Sequence, residues 1–317
     1  MPVIDYVDNG FIHALSGALS GTLTAAFVCP LDVLKTRMQV QDLARPKYVG
    51  VVGGLATLVR EEGIRAAYRG LQPTVLALVP SWSLYFFVYE SIKNMMKSST
   101  AGAKLSPTLQ YIVASFGAGA CNAVVTNPLW VIKTRLQTQA MPMKDRMHSH
   151  FTDYKGTLDA FRTIFRKEGM RGLYSGLFPS LMGIAHVAIQ FPLYESLKHE
   201  ATMLRQCKPE DLHPLDLVIL SGVAKVVAST ATYPHEVLRS QMHVSKAGAT
   251  GMRQVCQRIM ETEGIRGFYR GCLTNLLRTT PAAAITFTTY EIACRNLQQL
   301  VSAVKARQRH KDTEEPS

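Results

Sequence analysis

Six long stretches of this 317-residue chain are almost empty of charge. Residues 9–31, 70–89, 105–132, 172–194, 217–235 and 271–290 contain no Asp, Glu, Lys or Arg, apart from Lys225 and Arg278. Each stretch is about 20 residues or more, the length a helix needs to cross ~30 Å of hydrocarbon. Six such segments in one small chain exclude an ordinary soluble helical domain. Cysteine is also sparse. The 6 cysteines show neither C-x-x-C spacing nor a secreted framework, which argues against structural disulfides and zinc. The opening MPVIDYVDNG is acidic and lacks a signal or Arg-rich transit pattern, so targeting is expected to be internal. No P-loop, G-x-G-x-x-G turn or metal-ligand spacing is present, and His13, His186 and Glu195 are too scattered to form a catalytic set. The reading is therefore not an enzyme, with no metal site and no cofactor.

The charge that is present is unbalanced. Formal net charge is +12, a signature of partners that are nucleic acid, anionic lipid or anionic solute. No nucleic-acid module accompanies it, which leaves anionic lipid and anionic solute. The apolar stretches also hold Gly, Pro, Ser, Thr and Asn, as expected for helices with lipid on one side and a polar interior on the other.

Three strings recur in step about every 100 residues. CPLDVLKTR (29–37), NPLWVIKTR (127–135) and YPHEVLRSQ (233–241) form the first set. EGIRAAYRG (62–70), EGMRGLYSG (168–176) and EGIRGFYRG (263–271) form the second. YESIK (89–93), YESLK (194–198) and YEIACR (290–295) form the third. Each repeat thus contains a spanning helix with a proline near its end. A short amphipathic helix follows (about 51–61, 156–167 and 251–262), then a second spanning helix. Two spans return the chain to its starting side, so the repeats are parallel. The predicted fold is an all-α membrane protein, six transmembrane helices in three pseudo-threefold repeats. The repeats cover 9–100, 101–205 and 206–303, followed by a polar tail over 304–317 expected to fray.

Residue spacing suggests two sets of ion pairs. Asp32 and Lys35 lie three apart on one helical face, so in a threefold bundle each acid reaches the base of a neighbouring repeat. Asp32 would meet Lys133, Glu236 would meet Lys35, and Arg239 would face Trp130, which replaces the third carboxylate. At the other end Glu90 would meet Lys198 and Glu291 would meet Lys93. Glu195 there finds Cys294 where a base is expected. One set must break while the other forms.

The in-phase pattern P-x-[DE]-x-x-[KR], followed by [DE]-G-x4-[YWF]-[KR]-G, resembles the mitochondrial carrier family over residues 10–300. The resemblance implies alternating access, a functional monomer and the mitochondrial inner membrane, with chloroplast or peroxisomal membranes as alternatives. It assigns the proline-side set to a matrix gate, Glu90, Lys93, Glu195, Lys198 and Glu291 to a cytoplasmic gate, and the amphipathic helices to the matrix side. Gly70, Gly176 and Gly271 open the even helices, whose free N–H groups suit an anion. The resemblance makes that anion cardiolipin, with Ser175 departing from the usual base.

A charge inside a spanning helix is by default functional, which singles out Lys225 and Arg278. Polar stripes at helical spacing add Ser229 on the fifth span, Asn122 on the third, Asn275 and Thr279 on the sixth, Gln190 on the fourth and Trp82 on the second. Two cations with aromatic and glycine surfaces ask for a phosphorylated solute bearing a flat base. The family's contact points map to Ala77, Gly183–Ile184 and Arg278. Trp130 in P-L-W is similar to a subfamily carrying NAD, FAD, folates or pyrimidine nucleotides. GIAHVAIQFPLYE and GCLTNLLRTTPAAAITF look most like its NAD+ carriers in plants and yeast. The resemblance implies NAD+ import in exchange for AMP or ADP, with folate or FAD, and then pyrimidine nucleotides, as alternatives.

Overall fold

The computed structural model describes residues 2–41, 46–99, 106–139, 141, 154–206, 212–245 and 251–314. Its elements are α1 (Pro2–Val40), α2 (Val51–Glu62), α3 (Leu71–Ser98), α4 (Pro107–Thr138), α5 (Thr157–Leu173), α6 (Leu177–Met182), α7 (Ala185–Arg205), α8 (Pro214–Val244), α9 (Met252–Glu263) and α10 (Cys272–Glu314). Among the described residues there is no strand. The long helices follow one another around a ring: α1 packs on α3, α3 on α4, α4 on α6, α6 and α7 on α8, and α10 closes the circle against α1. Thr24 Oγ1 and Thr286 Oγ1 hydrogen-bond at 2.9 Å across that closing seam.

Among the described residues five stretches are long and apolar enough to cross a bilayer: Leu15–Val40, Ile64–Ser98, Leu109–Thr138, Leu177–Arg205 and Leu215–Val244. The sixth span, the first part of α10, is less apolar because Asn275, Arg278 and a run of threonines line one side of it. The fourth span is broken. Between α6 and α7 the amides of Ile184, His186 and Val187 donate to carbonyls three residues back, each at 3.1 Å. This tightening towards 3-10 geometry falls on the Gly183–Ile184 pair, and mid-helix stretches of this kind often mark hinges.

Each proline-bearing helix seats an amphipathic helix and the turn after it in its own small core. Val33, Leu34 and Leu58 form the first, Ile132, Ala160 and Ile164 the second, and Val237, Val255 and Ile259 the third. In the first two an arginine from the long helix pins the amphipathic helix. Arg37 Nη2 lies 2.9 Å from Glu62 Oε2, and Arg135 Nη2 lies 2.7 Å from Glu168 Oε2. Burial alone would raise the Glu62 carboxyl, but the bond and charge of Arg37 outweigh it and hold it below its usual value. In the third repeat Gln241 stands where Arg37 and Arg135 stand, and Arg270, in the turn just before α10, partners Glu263 instead.

The E-G glycines explain their motif. Gly63, Gly169 and Gly264 have φ of 79°, 66° and 63°, so the chain leaves each amphipathic helix through a conformation that side chains resist. The tail departs from expectation, since α10 continues as a helix to Glu314. Its sequence SAVKARQRHKDTEE contains strong helix formers and neither Gly nor Pro, so nothing local stops it. Cys29, Cys121, Cys256, Cys272 and Cys294 form no disulfide among the described residues, and Cys207 lies outside them.

Candidate functional site: a cavity at a charged ring

Prolines 30, 128 and 234 lie inside α1, α4 and α8. Beyond each, the motif residues of all three helices converge. Lys133 Nζ lies 2.9 Å from Asp32 Oδ2, and Lys35 Nζ lies 2.5 Å from Glu236 Oε2. In the third seam the Arg239 guanidinium sits 5.3 Å from the Trp130 ring centroid, and Lys133 Nζ lies 5.0 Å from the same ring. The indole is fixed by its Nε1–H, which donates to Thr126 Oγ1 at 3.2 Å. One end of the bundle is therefore bridged at every seam, twice by ion pairs and once by a cation–π contact.

A second polar layer lies below this ring, one helical turn on, and sequence reasoning did not find it. Thr36 Oγ1 bonds Gln137 Oε1 at 2.8 Å, Thr134 Oγ1 bonds His243 Nδ1 at 3.0 Å, and Ser240 Oγ bonds Gln39 Oε1 at 2.7 Å. Each pair joins one repeat to another, so the layer has the threefold character of the ring above it. It also explains the glycines that open the even helices. A Cβ on Gly70 would meet Gln137 at 2.8 Å, and one on Gly176 would meet His243 at 2.5 Å. Left-handed φ values of 88°, 72° and 71° at Gly70, Gly176 and Gly271 exclude side chains there independently.

At the opposite end the gate residues do not bridge the repeats. Lys93 Nζ turns to Glu90 on its own helix at 3.1 Å, and Arg295 turns to Glu291 on its own helix at 2.5 Å. Among the described residues Glu195 and Lys198 join no ion pair, and the Glu90–Lys198 and Glu291–Lys93 pairs expected from sequence are not formed. Cross-repeat pairs need the ends of α3, α7 and α10 to converge. In this structure only the proline ends do.

A cavity of about 510 Å³ reaches from Thr24 and Trp82 through the level of the ring to Thr36, Gln137 and His243 of the layer below it, within the ~300–1,000 Å³ usual for small-molecule sites. Its wall includes Asp32, Lys35, Trp82, Trp130, Lys133, His235, Glu236, Arg239 and Arg278. Arg278 reaches the ring directly: its Nη1 lies 2.6 Å from Asp32 Oδ1, so one carboxylate is shared between Arg278 and Lys133. Asn275 Oδ1 accepts from Lys35 at 2.8 Å and from Arg278 at 3.2 Å, tying α10 to the same network. Trp82 forms part of the wall and stacks on Phe86 with centroids 5.8 Å apart.

Other residues expected at the site lie elsewhere. Lys225 is exposed on α8, outside the cavity wall. It stands eleven residues before Glu236, about 16 Å along the axis, which removes it from the depth of Arg278. Ala77 is buried at 2% exposure and its neighbour Leu78 lines the wall instead. Ile184 faces Gly119 of α4, where an added Cβ would lie 3.5 Å from Ile184 Cγ2. Ser229 Oγ accepts from Asn275 Nδ2 at 3.3 Å, and Thr279 Oγ1 bonds back to Leu276 O at 2.8 Å. Asn122 and Gln190 do not line the cavity. Sequence reasoning also missed His235, whose position in Y-P-H-E carries no charge signal.

Gly183 keeps His235 in place. A Cβ there would stand 2.6 Å from His235 Nε2. Gly183→Val is expected to destabilise by ~1–3 kcal/mol through overpacking, and adding His235→Ala should recover most of that loss. Thermal melting of both variants checks the coupling.

The sequence has parallels among known proteins. The model for the mitochondrial carrier protein family matches residues 8–100, 104–203 and 210–300. The chain belongs to the mitochondrial carrier family. It is 46% identical over 298 residues to nicotinamide adenine dinucleotide transporter 1, chloroplastic, of Arabidopsis thaliana, covering 91% of this chain and 93% of that protein. It is 44% identical over 299 residues to the mitochondrial transporter 2 of the same plant, covering 91% and 80%. A mitochondrial nicotinamide adenine dinucleotide transporter of Saccharomyces cerevisiae is 42% identical over 305 residues, covering 92% and 79%. The family is one of membrane carriers, so the six spans surround a solute path and the chain is a transporter, not an enzyme.

Proposed function

We propose that this carrier imports NAD+ in exchange for AMP or ADP by alternating access, as a monomer in the mitochondrial inner membrane. The observation that carries the substrate is the extent of identity to three proteins named as NAD transporters, spread over nine-tenths of the chain. The cavity supports it. Arginine donors suit phosphate oxygens, and Trp82 offers a face for a flat base.

In the mechanism, a solute enters from the unbridged end and its phosphate draws Arg278 away from Asp32. The floor ring then loses one of its two cations on that carboxylate. Partly hydrated ion pairs are worth only ~0–1 kcal/mol each, so such a ring is weak enough to open on binding. Glu90, Lys93, Glu195, Lys198 and Glu291 then close the other end, the cytoplasmic one, while the proline ends open to the matrix. Gly70, Gly176 and Gly271 hold cardiolipin or a similar anionic lipid through the amides that follow them.

A folate or FAD carrier is the second reading, favoured by P-L-W, A-I-T-F and Lys225, which those carriers share. Uptake by purified protein in liposomes separates the two. Vesicles are offered labelled NAD+, FAD, folate and UTP in parallel, and NAD+ is expected to enter fastest. Robust folate or FAD uptake without NAD+ uptake would overturn the proposal.

A further inference from the structure

The cavity floor contains more positive charge than its gate uses. Four bases, Lys35, Lys133, Arg239 and Arg278, line it against two carboxylates, Asp32 and Glu236. Lys35 is answered by Glu236, and Lys133 and Arg278 share Asp32. Arg239 differs. Among the described residues it forms no ion pair, and its Nε has no hydrogen-bond partner. The place from which the other two repeats supply a carboxylate is filled here by Trp130, whose ring lies 5.3 Å from the guanidinium. A cation–π contact at that distance orients an arginine and leaves its charge and its donors unspent. A solute anion in the cavity is the one group placed to supply them.

We infer that Arg239 is a ligand for a phosphate of the transported solute, and that Trp130 creates this subsite by withholding the carboxylate that would otherwise occupy the arginine. The inference rests on the reading of this cavity as the path of a nucleotide-class solute. Arg239 and Arg278 then form a pair of phosphate ligands on α8 and α10, and the two excess positive charges match the two negative charges of a pyrophosphate bridge. Arg278 has to leave Asp32 to bind. Arg239 is available at once, so it is the first contact at the floor. The substitution at 130 is thereby a specificity device. It gives up one gate ion pair and gains a recognition site for a solute with two phosphate charges.

The test is ligand binding to the purified full-length carrier, read as a ligand-induced shift in melting temperature. Adenosine, AMP, NAD+ and inorganic pyrophosphate are titrated against wild type, Trp130→Phe, Trp130→Glu and Arg239→Gln. Trp130→Glu supplies the missing carboxylate, so its unliganded melting temperature should stay at or above that of wild type. Its affinity for NAD+ and pyrophosphate should fall ~10- to 100-fold, the loss of one hydrogen bond to a charged group. Arg239→Gln should lose the same amount, and Trp130→Phe should stay within about threefold because it adds no carboxylate. Adenosine binding, where measurable, should not distinguish the four proteins. Unchanged NAD+ and pyrophosphate affinity in Trp130→Glu or Arg239→Gln would overturn the inference, as would an equal loss for adenosine. If wild type binds FAD, folate or UTP instead of NAD+, the substrate reading fails. The same comparison with that anionic ligand then still decides the role of Arg239.

Discussion

Arg278→Ala is expected to abolish NAD+ exchange while leaving a folded, monodisperse protein. The guanidinium lies in the cavity wall with 28% of its side chain exposed, so truncation removes little packing. What it removes is charge at the point where solute and gate meet. Its Nη1 holds Asp32 at 2.6 Å, and its Nη2 bonds Asn275 at 3.2 Å. Losing a charge-assisted contact costs ~1.5–3 kcal/mol. Arg278 supplies such a contact to the solute and also links solute occupancy to Asp32, so the loss in uptake should reach ~100-fold or more. Arg278→Lys keeps the charge without the planar fork and should recover only part of the rate. Initial uptake rates at several NAD+ concentrations, set beside unliganded melting curves, check both statements. Uptake near the wild-type rate would remove Arg278 from the path.

The second large effect falls on stability. Arg135 is 2% exposed and meets Glu168 at 2.5 and 2.7 Å through two parallel bonds. Its Nε also donates to His243 O of α8 at 2.9 Å. Arg135→Leu would remove both charge-assisted bonds to Glu168, whose side chain is 15% exposed, and would cut a link between the second and third repeats. Breaking a buried pair by removing one partner costs ~3–5 kcal/mol. A marked drop in melting temperature is expected, and Glu168→Gln in the same background should return part of it by removing a charge that has lost its arginine. The matching change in the third repeat, Gln241→Leu, should cost less, because there Glu263 is answered by Arg270 from the turn before α10. Equal losses at 135 and 241 would show that the arginine does not pin its repeat as described.

Much of the bundle was legible before any coordinate. The threefold repeat exposed itself through prolines, acids and bases at constant spacing, and helical geometry then dictated that Asp32 reaches Lys133 and that Glu236 reaches Lys35. Arg278 stood out because a charge is rare within a span. Three features were not legible, each for a physical reason. The layer of Gln39, Gln137 and His243 is made of uncharged groups, and the third repeat turns K-T-R-x-Q into R-S-Q-x-H, so no charge pattern announces it. Lys225 carries the same intramembrane charge signal as Arg278, but periodicity along one helix does not report depth relative to the ring. The break at Gly183–Ile184 has helical dihedral angles on both residues, and only the shift in hydrogen-bond register reveals it.

The central claim is exchange by alternating access, in which one bridged end opens only as the other closes. An empty carrier has no solute phosphate to draw Arg278 from Asp32, so return of the empty cavity is slow and net uptake is disfavoured. Labelled NAD+ uptake should therefore be measured in parallel into proteoliposomes preloaded with AMP and into empty ones. The expected result is rapid, saturable uptake into the loaded vesicles and little into the empty ones, with labelled AMP leaving in proportion. Equal uptake into both, with no AMP efflux, would contradict it.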